Sequence, residues 1–126
     1  MKTPKILIVE DEPFISNACL RILAAEGFTA DIANNGLIAQ QMIGKQHYDS
    51  CLIDIRTPGM NGIELFRWIE DRYPALAKRV AFTSGEPTTL ENTPFPENAN
   101  VLFLQKPFST DELRSIMRKA VGMPLD

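Results

Sequence analysis

The chain has little of the equipment for thiol or imidazole chemistry: among 126 residues there are two cysteines, Cys19 and Cys51, and one histidine, His47. The cysteines have no paired spacing, which excludes a disulfide framework and a cysteine-rich metal site. Both fall in apolar periodic segments and read as buried free thiols. His47 lies among polar residues and reads as an exposed turn residue, not a phosphorylated one. Long apolar runs are absent too. Ile6-Leu7-Ile8-Val9 gives way at once to acids, too short for a secretory leader or a spanning helix. Positive charge is in the minority, with 13 Lys+Arg against 16 Asp+Glu and a net charge of −3, which argues against direct nucleic-acid or membrane binding. No repeat, low-complexity tract or linker is visible. One domain over residues 1–126, in the cytoplasm, is the expectation.

What is present is enough apolar material, 44% of residues, to build a core without staples. Lys5 to Val9 is a short β-branched run ending in Glu10-Asp11-Glu12, with Pro13 placed to open a helix through Phe14, Ile15, Ala18, Ile22 and Leu23. Phe28 to Ala33 predicts a second strand, and Asn34-Asn35-Gly36 a turn before a helix with Leu37, Ile38, Met42 and Ile43. Cys51-Leu52-Ile53 lacks alternation and predicts a strand covered on both faces, ending at Asp54. Pro58-Gly59 signals a turn, and Asn61 with Glu64 an N-cap for a helix that Tyr73-Pro74 closes. Arg79 to Phe82 predicts a strand ending at Thr83-Ser84-Gly85. The following segment holds Pro87, Pro94 and Pro96, so at most one or two helical turns are expected there, near Pro87 to Asn92. Val101 to Leu104 predicts the fifth strand, and Ser109 with Glu112 a capping box before Leu113, Ile116 and Met117.

Strands alternating with helices imply a parallel sheet with right-handed crossovers. In such a sheet all C-terminal strand ends share one edge, so Glu10, Asp11, Asp54, Thr83 and Lys106 converge despite their separation in sequence. Crowded carboxylates must take up a proton or bind a cation. With oxygen donors alone the favoured cation is hard, and Mg²⁺ fits. A hydroxyl and an ammonium beside it suit a tetrahedral anion, and phosphoryl transfer is the matching chemistry.

Glu10-Asp11 after Ile6-Leu7-Ile8-Val9, Asp54 with Pro58-Gly59-Met60 and Gly62, Thr83-Ser84, and Lys106-Pro107-Phe108 together resemble the signature set of receiver domains of two-component response regulators. The likeness spans essentially the whole chain. It implies a flavodoxin-like (βα)5 fold, a doubly wound parallel five-stranded sheet of order 2-1-3-4-5, here with a short or irregular fourth helix. It also implies a signalling switch and not a turnover enzyme. Asp54 would accept a phosphoryl group from a phosphohistidine of a sensor histidine kinase or histidine phosphotransfer protein. Asp11, Glu10 through water, Asp54 and the backbone carbonyl of Arg56 would hold Mg²⁺. Thr83 and Lys106 would contact phosphoryl oxygens, and the Lys106–Pro107 bond would be cis. Thr83 and Phe103 would form the switch toward a downstream protein, with Phe103 biased toward its buried rotamer. Glu10 stands where many relatives have aspartate, so its longer arm is expected to hold its water differently. The side chain of Arg56 is expected at the site mouth.

Three other functions are set against this one. A receiver-like binding module that docks a partner without phosphate keeps the fold. A phosphatase with an aspartate nucleophile needs a second aspartate two residues on, where Arg56 stands. A flavin site calls for a glycine- and hydroxyl-rich phosphate cradle, and these strand ends are acidic.

Overall fold

The computed structural model describes residues 3–85 and 102–122. Strands β1 (Lys5–Val9), β2 (Thr29–Ala33), β3 (Ser50–Asp54), β4 (Val80–Ser84) and β5 (Leu102–Gln105) pair in parallel in the order β2-β1-β3-β4-β5. Helices α1 (Pro13–Ala25), α2 (Gly36–Lys45), α3 (Gly62–Arg72), α4 (Pro74–Ala77) and α5 (Thr110–Ala120) cover it. This is the doubly wound, flavodoxin-like arrangement that the alternation implies. The irregular fourth helix expected near Pro87 to Asn92 lies outside the described residues.

Because side chains alternate across a strand, each strand feeds two cores. Leu7, Val9, Cys51, Ile53, Val80 and Phe82 face α2 and α3, where they meet Ala39, Ile43, Leu65, Phe66 and Ile69. Ile6, Ile8, Leu52, Ala81 and Leu104 face α1 and α5, where they meet Cys19, Leu23, Leu113 and Met117. Every residue of β3 is buried, which accounts for its continuous apolar run. Phe103 is half-buried and packs against the first of these cores.

Helix α5 shows which term holds a helix in place. Ser109 accepts from the Glu112 N–H while Glu112 returns a bond to the Ser109 N–H, a capping box that contributes about 1 kcal/mol. Leu113 and Met117 are fully buried, and each contributes roughly 1.5–3 kcal/mol. Burial of the stripe therefore outweighs the cap. Helix α3 begins with the same device, Asn61 paired with Glu64.

One element is unforeseen in the sequence. Pro74 does close α3, leaving Tyr73 at φ −134 and ψ 64, but the same proline then opens the four-residue helix α4 as its first residue. Its ring disfavours helical geometry in the residue before it and presets its own φ for the first turn of the helix that follows. Among the described residues no helix is long and apolar enough to cross a membrane.

Candidate functional site

Register decides what meets at the carboxyl edge of the sheet. Asp54, the last residue of β3, stands opposite Thr83 of β4, and the Ile55 N–H continues the ladder to the Thr83 carbonyl at 3.0 Å. The chain then turns back sharply. A Cβ on Gly62 would lie 2.7 Å from the Asp54 carbonyl oxygen and from the Ile55 Cα, so only glycine lets α3 start this close to β3.

Asp54 is buried, and its two carboxylate oxygens have separate partners. Oδ1 accepts the Arg56 N–H at 3.0 Å, and Oδ2 lies 3.0 Å from Lys106 Nζ. Lys106 follows β5, tied by its N–H to the Ser84 carbonyl at 2.9 Å, and its bond to Pro107 is cis. Its ammonium also reaches Glu10 Oε1 at 2.7 Å. Burial opposes the charge on Lys106, but its bonds to Glu10 and Asp54 outweigh that and hold its pKa above the ordinary lysine value.

Glu10 is only 3% exposed, and its Oε2 accepts the Glu12 N–H at 3.2 Å. Burial pushes its carboxyl up, Lys106 pulls it down and the Asp54 charge adds to the rise, leaving it at about 6. Asp11 is exposed at the start of the next loop, and one oxygen from each of Glu10, Asp11 and Asp54 lies within 4.8 Å of the others. Among the described residues, Glu10 and Asp54 of this cluster meet the Lys106 ammonium, and these contacts leave the cluster with more negative than positive charge when all three carboxylates are ionised. An oxygen-only cluster with that excess fits a hard divalent cation such as Mg²⁺. Thr83 Oγ1 points the same way: it is buried with no hydrogen-bond partner among the described residues, and buried hydroxyls are rarely left so.

The structure thus brings together Glu10, Asp11, Asp54, Thr83 and Lys106, with the backbone of Arg56 bonded to Asp54. Phe103 is not in this group; it pairs with Phe82 in the register, one position before the Thr83–Leu104 pair. One residue that the sequence reading passes over is Thr57. It is buried, and its hydroxyl donates to the Met60 carbonyl at 2.9 Å. The available signal was a hydroxyl residue directly before Pro58-Gly59, where short polar side chains often close turns.

Comparisons with known proteins place the whole fold in a family. Sporulation initiation phosphotransferase F of Bacillus subtilis (strain 168) is 29% identical over 119 residues, covering 94% of both chains. Probable transcriptional regulator ycf29 of Pyropia yezoensis is 31% identical over 119 residues, and there the alignment covers 94% of this chain but only 53% of the relative. The chain thus spans about half the length of that relative. A CheY-like response regulator receiver domain protein from Methanospirillum hungatei JF-1 superposes with a TM-score of 0.85 at 26% identity, covering 95% of this chain and 94% of the other. The receiver domain of a sensor histidine kinase from Pseudomonas aeruginosa PAO1, solved with a magnesium ion coordinated in its active site cleft, superposes with a TM-score of 0.77 at 26% identity, covering 96% and 99%. The family described as response regulator receiver domain matches residues 6–118, nearly the whole of the sheet and its helices, and the chain belongs to that family.

Proposed function

We propose that this chain is a phosphorylatable receiver in which Asp54 accepts a phosphoryl group from a phosphohistidine on a sensor histidine kinase or histidine phosphotransfer protein. One observation supports it above the others: a carboxylate at a strand end with an ammonium at 3.0 Å, two further carboxylates beside it and an unpartnered buried hydroxyl opposite in the register. An Asp54 oxygen attacks phosphorus, the P–N bond breaks, and its electron pair leaves with the imidazole, which takes a proton from solvent. Lys106 gives up part of its pairing with Asp54 to meet a phosphoryl oxygen as a compact cation. Thr83, whose hydroxyl has no partner among the described residues, supplies a hydrogen bond to another phosphoryl oxygen. Asp11, Asp54, the Arg56 carbonyl and, through water, Glu10 would hold Mg²⁺, which would supply charge neutralisation for the phosphoryl oxygens. The magnesium described for the Pseudomonas aeruginosa domain supports this assignment.

The added phosphoryl charge, roughly −1.5 to −2, is what the domain transmits. Drawing Thr83 toward it shifts β4 against β5, where Phe103 is half-buried, and a downstream protein reads that change.

The test uses a small phosphodonor such as acetyl phosphate with Mg²⁺. The chain gains the mass of one phosphoryl group, and Asp54→Ala abolishes the gain. No gain in the wild-type chain would leave the phosphate-independent binding module as the better reading.

A further inference from the structure

The loop between β3 and α3 holds a hydroxyl that none of the roles above uses. We infer that Thr57 is a positioning residue for Mg²⁺ binding, holding the Arg56 carbonyl in place through its hydrogen bond to Met60; this rests on the metal reading of the site given above.

The backbone on either side of that carbonyl is pinned. On one side the Ile55 N–H bonds the Thr83 carbonyl at 3.0 Å and the Arg56 N–H bonds Asp54 Oδ1 at 3.0 Å. On the other side Thr57, 5% exposed, sends its hydroxyl to the Met60 carbonyl at 2.9 Å. The carbonyl between them therefore belongs to a peptide whose neighbours are both tied, one to the acceptor carboxylate and one across the turn. Met60 is itself immobilised. A Cβ on Gly36, the first residue of α2, would lie 2.5 Å from the Met60 carbonyl oxygen, so the helix start abuts the very atom that Thr57 grips. Asn61 and Gly62 then fix the exit of the loop, through the cap of α3 and the Gly62 N–H bond to the Ile55 carbonyl at 2.9 Å.

Packing alone does not account for a threonine here. Valine has nearly the same shape, so an apolar side chain could fill the space; what it lacks is a donor for the Met60 carbonyl. The hydroxyl is thus the part of Thr57 with a task. A carbonyl ligand carries no charge to draw it to a metal, so its contribution depends on being held in place beforehand.

Calorimetric titration with MgCl₂ of the wild-type chain, Thr57→Val and Thr57→Ser, each checked by melting temperature, decides the matter. Thr57→Val is expected to fold and to bind Mg²⁺ about ten-fold more weakly, the size of effect typical of a group that orients a metal ligand. Thr57→Ser, which keeps the hydroxyl, is expected to stay within roughly two-fold of wild type. Should the valine variant fail to fold, Thr57→Ala replaces it, since it removes the hydroxyl without adding bulk. Equal affinity in the hydroxyl-free variant, or an equal loss in Thr57→Ser, overturns the inference while leaving the metal site intact. A wild-type chain that binds no Mg²⁺ overturns the metal reading itself, and this inference with it.

Discussion

Lys106 stands between the carboxylate that follows β1 and the one that ends β3, 2.7 Å from Glu10 and 3.0 Å from Asp54. Without a metal it is the cation that keeps β1 and β3 from carrying unopposed buried charges at adjacent ends. Removing one partner of a buried pair is more damaging than the pair is worth, because the other charge stays behind. Lys106→Ala is therefore expected to lower the stability of the metal-free chain by roughly 2 kcal/mol or more near neutral pH. Addition of MgCl₂ should recover more stability in the variant than in wild type. Urea unfolding with EDTA and with MgCl₂ measures both, and equal stabilities with EDTA would show that the pair is idle.

Glu10 makes the same cluster pH-sensitive in the metal-free state. Its folded pKa of about 6 lies above the ordinary 4.5, so between those values the folded chain holds the proton more tightly than the unfolded chain does. Its contribution is therefore fully present below about pH 4.5 and is lost as pH rises through 6. Glu10→Gln cannot titrate, and its stability relative to wild type should climb by about 2 kcal/mol from well below the window to well above it. Parallel unfolding curves in EDTA about one pH unit below and above the window check this. A difference that stays flat, or rises toward acid, would contradict the burial argument.

Much of this edge is legible in the sequence, and the reasons are physical. A strand buried on both faces must be a continuous apolar run, so Cys51-Leu52-Ile53 announces both its place and the acid at its end. Asn61 with Glu64, and Ser109 with Glu112, are local signals because each cap is satisfied within four residues. Helix α4 leaves no such trace, since four residues contain barely one turn and show no period. That Glu10 and Lys106 share an edge is legible, but their direct contact is not. It joins residues 96 positions apart in sequence, and two long side chains must reach over the ends of β3 and β4, which separate β1 from β5. Thr57 is missed for another reason: its partner is close in sequence, but the turn that joins them is fixed by Gly36 and Gly62 from outside.

The two cysteines should be silent in the folded chain. Cys19 and Cys51 are buried, and burial pushes their thiols up to about 11 and about 12. Thiolate is the reactive form, so both burial and pKa oppose alkylation. Iodoacetamide near pH 8 is expected to label neither residue until denaturant is added, after which both react. Mass spectrometry of the native chain would refute this if either thiol were modified at the rate of a free cysteine.

Gly62 sets two effects of opposite sign against each other. It is the first residue of α3, where alanine would be favoured on helix propensity by at most about 1 kcal/mol. The added Cβ, however, would sit 2.7 Å from the Asp54 carbonyl oxygen and the Ile55 Cα, both backbone atoms with no rotamer to escape into. Forcing atoms into packed surroundings typically costs about 1–3 kcal/mol, and here the strain falls on the peptide that carries the acceptor. Gly62→Ala is thus expected to be destabilised by roughly 1–2 kcal/mol net and to accept phosphoryl groups more slowly, because the added Cβ presses on the backbone that carries the Asp54 side chain. Urea unfolding gives the first quantity and the rate of acetyl phosphate labelling the second. A stabilised variant would mean that propensity prevails and that the approach of α3 to β3 is looser than these distances indicate.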